Sequence, residues 1–270
     1  MVTLDSTFIR SCEAGERHLE VRIGNAETTA GRRQVFGAVA RTDTDPAALI
    51  RRGLDAVGRT GGTALTAFTD GCPGLRRILL DAGVDGLPIL DWFHVAMRLQ
   101  HLTRTADKLS SDGPGRAAAK AVIVEEVERL RWRLWNGRAK DAKVSVDRIR
   151  AVMHHFRGER GDRRSVAPSR MLWTALRALD DYLVGRSDRL VDYGERHRAG
   201  QRVGTALTEG TANFLVNRRM NKSQQMRWSR RGADRLLQVR CAVYDGTLGS
   251  DFGQRFYAAN DALPPVPAAA

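Results

Sequence analysis

The sequence predicts an α/β fold: a mixed sheet with flanking helices, interrupted by an all-helical stretch. Three observations predict it. Short β-branched runs occupy the first forty residues, helical and strand-like segments alternate up to Leu90, and from Trp92 onward the spacing is almost wholly helical.

The elements follow in order. Residues 2–9, 18–23 and 34–39 are rich in Val, Ile, Thr and Phe and are separated by Gly, Asn or charged clusters, so they read as three sequential strands of an antiparallel meander. Asp45 followed by Pro46 is an N-cap with proline at the first helical position, and the spacing behind it predicts a helix ending near Gly58. Residues 63–69 return to strand character and stop at Asp70-Gly71. A short helix over 74–82 and a short strand over 87–90, closing at Asp91, come next. Helices are then expected over 92–109, 114–136, 143–157, 168–185, 203–221 and 230–245. Gly113-Pro114-Gly115, Asn136-Gly137, residues 158–162 and Gly185-Arg186-Ser187 supply the breaks. The proline-rich end, residues 251–270, reads as a flexible tail.

Composition bounds the function. The chain of 270 residues is 42% hydrophobic, has no run approaching the roughly 18 apolar residues of a membrane span, and opens without the apolar stretch of a signal peptide. Cys12, Cys72 and Cys241 lie far apart without CxxC spacing, which suggests neither a disulfide framework nor a structural zinc site. A reduced, cytoplasmic setting is the expectation. The net charge is +13, yet residues 1–100 hold twelve basic and twelve acidic residues, so the whole excess lies in 101–270. A polyanionic partner for that part follows from counterion release, although a coding bias toward Arg would give the same count.

Three acids stand where phosphoryl-transfer chemistry would want them. Asp5 lies in the first strand, Asp70 closes the fourth, and Glu209 sits in a late helix among small neighbours. A β-β-β-α-β-α-β order with acids at those points fits a ribonuclease H-like core, in which the first and fourth strands lie side by side. Carboxylates there would hold two Mg²⁺ ions, roughly 4 Å apart, for in-line displacement. A strand-end Asp is also an ordinary turn or cap residue. Asp91 and His94, spaced i and i+3 at a strand-to-helix junction, read either as a capped helix with a satisfied histidine or as a pair orienting phosphate or metal-bound water.

These residues carry a family resemblance. LDSTFIRSCEAGERHLEVRIGNAET, FTDG, ILDWFHVAMRLQHL, YGERHRAGQRVGTALTEGTANFLVNRRMNKSQQMRW and RGADRLLQVRCAVYDG resemble the catalytic domain of ISKra-type insertion-sequence transposases, relatives of the DDE and Mutator-like enzymes. The resemblance implies a ribonuclease H-like core interrupted by an all-helical insertion. It divides the chain into a first part of the catalytic core at 1–105, the insertion at 106–200, the catalytic Glu helix with basic C-terminal helices at 201–250, and the tail at 251–270. Asp5, Asp70 and Glu209 match the three catalytic, metal-binding acids, and Asp91 and His94 match a supporting D-x-x-H motif. The implied cofactor is Mg²⁺ or Mn²⁺. The implied partners are DNA, as element ends and target, and further copies of the chain in a synaptic complex. A bacterial cytoplasmic protein, nucleoid-associated when bound to DNA, is the corresponding setting. Family members usually carry a DNA-binding region before the first catalytic strand. Met1 lies four residues from Asp5, so the expectation is a catalytic portion without that region. A catalytically incompetent DNA-binding remnant and a nuclease of ribonuclease H type are the alternatives.

The segment 218–240 carries eight basic residues and one acid. Arg218, Arg219, Lys222, Arg227, Arg230 and Arg231 are candidate DNA contacts, with Trp228 available to stack on a base; a solvated helix face with Trp228 in the core is the plainer reading. Ile123, Val127, Leu130 and Leu134 form a stripe at helical spacing, and Trp132, Trp135, Trp173 and Tyr182 are expected in the core with them. Adjacent His154 and His155 point to different helix faces and do not suggest a metal site.

Overall fold

In a computed structural model of the chain, residues 1–159, 166–205, 210–221 and 226–249 are described. In chain order the elements are β1 (Val2–Arg10), β2 (His18–Glu27), β3 (Arg33–Val39), α1 (Pro46–Ala56), β4 (Ala67–Thr69), α2 (Pro73–Asp81), β5 (Ile89–Leu90), α3 (Trp92–Asp107), α4 (Arg116–Trp135), α5 (Ala139–Val152), α6 (Pro168–Val184), α7 (Tyr193–Arg198), α8 (Asn213–Asn221, wound as a π-helix) and α9 (Arg230–Tyr244). Pairing is antiparallel from β1 to β3 and parallel between β4 and β5, so the chain is α/β with mixed pairing. It divides into two compact units, one of Met1–Ala67, Pro73–Gly86 and Leu207–Ala270, the other of Phe68–Cys72 and Leu87–Ala206. Among the described residues no helix is long and apolar enough to cross a membrane.

In the first unit the meander forms as the alternation predicts. Ile9, Leu19 and Val21 turn inward and are fully buried, while Phe8, Arg10 and His18 between and beside them face solvent. The inward side chains pack with Leu215, Val216 and Met220 of α8 and with Ala233, Leu237 and Cys241 of α9. Helix α9 also covers the outer edge of β3. The backbone N–H groups of Val35 and Val39 donate to the carboxylates of Asp245 (3.1 Å) and Asp234 (2.8 Å), and the Gly37 carbonyl accepts from Gln238 (2.7 Å). Three successive outward-pointing positions of an edge strand are thereby satisfied by side chains, which closes the edge to pairing with another chain.

The second unit is built on helices α3 to α7. The predicted stripe on α4 is fully buried, and Ile123, Val127, Leu130 and Leu134 meet Leu99 and Leu102 of α3 and Leu172 and Leu176 of α6. Glu126 is enclosed with them. Its carboxylate accepts from Arg129 (2.7 Å), Arg148 (3.0 Å) and the Ser145 hydroxyl (2.7 Å), which is what a buried charge requires. Tyr182 is buried as expected, but Trp132 and Trp173 are about half exposed, where Arg138 and Arg150 lie over their rings. The strand expected over 63–69 is confined to Ala67–Thr69, and of the helix expected over 203–221, residues 203–205 are not helical whereas the described residues 210–221 are, with Asn213–Asn221 wound as a π-helix.

Candidate functional site

Strand β4 ends in a turn that fixes Asp70. The Asp70 carboxylate accepts the N–H of Cys72 (2.7 Å), the Thr69 hydroxyl accepts the N–H of Gly71 (3.1 Å), and Gly71 takes a left-handed φ of 87° that favours glycine. The turn is then held by the end of α6 and the residues that follow it. The Tyr182 hydroxyl at the end of α6 donates to the Asp70 carbonyl (2.9 Å), and Arg186 and Arg189 donate to the Gly71 carbonyl (3.2 and 3.1 Å). Burial pushes the Tyr182 hydroxyl well above its ordinary pKa, so it stays a neutral donor. Its ring lies near the guanidiniums of Arg98 (4.2 Å) and Arg186 (4.6 Å). Half-buried Asp70 therefore sits on a turn whose carbonyls are held by Tyr182, Arg186 and Arg189. Sequence reasoning missed Tyr182, Arg186 and Arg189 in this role because they lie more than a hundred positions downstream.

Asp91 and His94 are brought together, around a partner the sequence did not reveal. Asp91 is fully buried and caps α3 by accepting the N–H of Phe93 (2.9 Å); it also accepts the N–H of Thr205 (2.9 Å) and the Thr205 hydroxyl. His94 places Nε2 3.6 Å from the second carboxylate oxygen of Asp91. Gly204 makes this approach possible, since a Cβ there would meet the Asp91 carboxylate at 2.5 Å. The N–H of Trp92 donates to the Val203 carbonyl (3.2 Å), and the Tyr193 hydroxyl donates to the Leu90 carbonyl (2.6 Å). Enclosed in this way, Asp91 is withdrawn from solvent. It acts by tying residues 203–205, which lead toward Glu209, to the junction of β5 and α3.

Asp5 belongs to the first unit. It stands opposite Ile23 on β2, is half-buried, and accepts the N–H of Ser6 (2.8 Å). In the same unit the Val2 N–H donates to the Thr66 carbonyl (2.8 Å), so the residues leading into β4 run beside the start of β1. Glu209 and Lys222 lie outside the described residues. Asp5, Asp70 and Glu209 offer only carboxylate oxygens, the donor type that Mg²⁺ and Mn²⁺ take. Among the described residues no three His, Cys, Asp or Glu side chains gather into a metal-holding group.

The basic segment separates into two kinds of arginine. Arg218, Arg219, Arg227 and Arg231 are exposed. Arg230 is committed inward, donating to the Ala40 carbonyl (2.5 Å) and pairing with Glu13 (3.5 Å) and Glu16, so it serves the fold and is a poor DNA contact. Arg240, nearby on α9, holds the Leu215 carbonyl of α8 (2.8 Å). Trp228 packs against the core of the unit and donates through Nε1 to the Met220 carbonyl (3.3 Å), the plainer of the two readings. The neighbouring histidines also have a local account, with His154 Nδ1 against the Ala151 carbonyl (2.8 Å). No family model matches the chain, and no curated protein matches it.

Proposed function

We propose that the protein is the catalytic part of a DDE transposase, cutting DNA at element ends and joining the freed 3′-hydroxyl to target DNA. The observation that carries the reading is the element order, strand-strand-strand-helix-strand-helix-strand, with Asp5 on β1 and Asp70 closing β4, followed by a helical unit with its own core before the position of Glu209. The hydrogen bond from Val2 to Thr66 supports a ribonuclease H-like arrangement of the first and fourth strands.

Asp5, Asp70 and Glu209 would hold Mg²⁺ or Mn²⁺. When bound, the ions supply Lewis acidity and a nucleophilic oxygen at neutral pH. The chain's own residues do the positioning. Tyr182, Arg186 and Arg189 fix the Asp70 backbone, and Asp91 with Thr205 fixes the approach to Glu209. Exposed Arg218, Arg219, Arg227 and Arg231 bind phosphates and orient the duplex.

The test is cleavage and strand transfer on duplexes carrying the element ends, with Mg²⁺ or Mn²⁺, comparing the parent chain with Asp5→Asn, Asp70→Asn and Glu209→Gln. Each variant should lose product by at least about a hundredfold while keeping DNA affinity. Unchanged cleavage in any of them removes that acid from the site. DNA binding without product in the parent would favour an inactive DNA-binding protein, and preferred cleavage of RNA–DNA hybrids would favour a nuclease.

A further inference from the structure

A cleft of about 520 Å³ lies in the first unit, where the turn joining β1 to β2 meets the chain entering α9. Backbone hydrogen bonds stitch the two segments together: the Cys12 N–H donates to the Trp228 carbonyl (3.0 Å), and the Trp228 N–H to the Arg10 carbonyl (2.9 Å). Arg10, Cys12, Arg17, His18 and Arg227 line the cleft, together with Glu13 and Glu16. The two acids are already matched within the fold. Glu13 accepts the backbone N–H of Arg230 (2.7 Å) and faces its guanidinium, and Glu16 pairs with Arg230 and with Arg41 (2.9 Å). Exposed Arg17 and Arg227 therefore add positive charge to a balanced pair of acids. A stretch of sequence that is neutral by count thus supplies half of a basic surface.

The adjoining strand face carries a second feature. Phe8 is 59% exposed, although Ile9 beside it and Val2 and Leu4 farther along its own face of the strand are buried. It shares its face of β1 with Arg10, about 7 Å along the strand, and His18 stands directly opposite Arg10 on β2. Asn221, at the end of α8, donates to the Phe8 carbonyl (3.2 Å), so this strand end is held in place.

We infer that this cleft and face bind a strand of nucleic acid, with phosphates on Arg10, Arg17 and Arg227 and an unpaired base on the ring of Phe8. Guanidiniums supply phosphate contacts, and an exposed ring beside them is the platform on which a base stacks. The cleft is bordered by exposed side chains, which suits a polymer passing through rather than a small anion enclosed on all sides. The inference rests on the nucleic-acid half of the proposed function and is independent of the metal chemistry.

The experiment uses the full chain in EDTA, so cleavage plays no part in it. Binding of a labelled single-stranded oligonucleotide and of a duplex of equal length is followed by anisotropy between 50 and 200 mM salt, for the parent, Arg17→Ala with Arg227→Ala, Phe8→Ala, and the control Arg52→Ala, at an exposed position of α1. Loss of two phosphate contacts should flatten the salt dependence, so that the double variant's affinity for duplex falls about twelvefold less than the parent's over that range. Phe8→Ala should weaken single-strand binding at least about fivefold and duplex binding much less. Alkylation of exposed Cys12, read by mass spectrometry, adds a local report, because bound oligonucleotide should slow it in the parent and not in the double variant. Parent-like salt dependence in the double variant, unslowed alkylation, or equal effects of Arg52→Ala would overturn the inference. Equal protection of Cys12 by inorganic phosphate or a mononucleotide would overturn it too, in favour of a small-anion site. Loss of cleavage in Asp70→Asn with these binding effects intact separates this site from the catalytic one.

Discussion

Replacing Asp91 tests whether one buried carboxylate fastens the chain that leads toward Glu209. In Asp91→Ala three groups lose their acceptor: the Phe93 N–H at the start of α3, the Thr205 N–H and the Thr205 hydroxyl. Loss of the cap costs about 1 kcal/mol. Each Thr205 group, 97% enclosed with its residue, costs about 1–2 kcal/mol when left unpaired. Against this stands relief of the desolvation that the buried carboxylate suffers, so the net loss should be about 3 kcal/mol, or about 6–12 °C in Tm. Thr205→Val removes only the hydroxyl and should cost about 1–2 kcal/mol. Asp91→Asn keeps an acceptor for both N–H groups and can donate to the Thr205 hydroxyl, and should cost about 1 kcal/mol. Thermal and urea unfolding followed by circular dichroism rank the three, and the Asp91→Ala/Thr205→Val double variant should lose less than the sum of its parts. A loss under about 1 kcal/mol for Asp91→Ala, or strict additivity in the double variant, would refute the anchoring role.

Other consequences are as direct. Gly204→Ala places a Cβ 2.5 Å from the Asp91 carboxylate and should destabilise by about 2 kcal/mol, measured by the same unfolding curves. Burial acts to raise the Glu126 pKa, but hydrogen bonds from Ser145, Arg148 and Arg129 outweigh it and hold the carboxyl below its ordinary value. A lowered folded pKa contributes stability that is complete above the unfolded pKa, about 4.3, and is lost as pH falls through the folded one. Tm should therefore fall more steeply below that pH in the parent than in Glu126→Gln, checked by thermal scans from pH 7 to 3. Leu99→Ala, at a fully buried position among α3, α4 and α6, should cost about 2–5 kcal/mol in urea unfolding. Arg240→Met should lower stability while leaving the salt dependence of DNA binding unchanged, because that guanidinium is spent on carbonyls of α8.

The parts legible in the sequence are those with local causes. The meander followed from β-branched alternation, α1 from Asp45-Pro46, and the α4 stripe from Ile123, Val127, Leu130 and Leu134 recurring on one face. Elements short on periodicity were not legible. Helix α7 has six residues and is set by an Asp192 cap and by Tyr193 reaching the Leu90 carbonyl, a partner 103 positions away. Residues 63–66 carry strand-like side chains, yet strand pairing begins only at Ala67. Trp132 and Trp173 were expected in the core with the apolar stripe of the helical region, and the arginines beside them let those rings stay half in water. At the candidate site, the acids at strand ends could be picked out by position. The side chains that hold them could not, because Tyr182, Arg189 and Thr205 become neighbours of Asp70 and Asp91 only through folding.

Arginine count is therefore a poor guide to where a polyanion would sit, and the fold shows why. Arg189 is buried on the Gly71 carbonyl, Arg230 is absorbed by Glu13 and Glu16, and Arg240 is turned onto α8; none offers its charge to a partner. Each is fixed by hydrogen bonds to backbone carbonyls or to acids, an environment that costs a cation its water and returns it only intramolecular partners. The exposed arginines form a different population, and they do not follow the division of charge along the chain. Arg17 comes from a segment with no net charge, while its neighbour in space, Arg227, comes from the most basic one. What assembles them is the pairing of Trp228 with Arg10 and Cys12 across more than two hundred residues. In the same region Trp228 packs against the core, and Phe8 is the exposed ring. The stacking role that composition suggested for the tryptophan thus has its better candidate on β1.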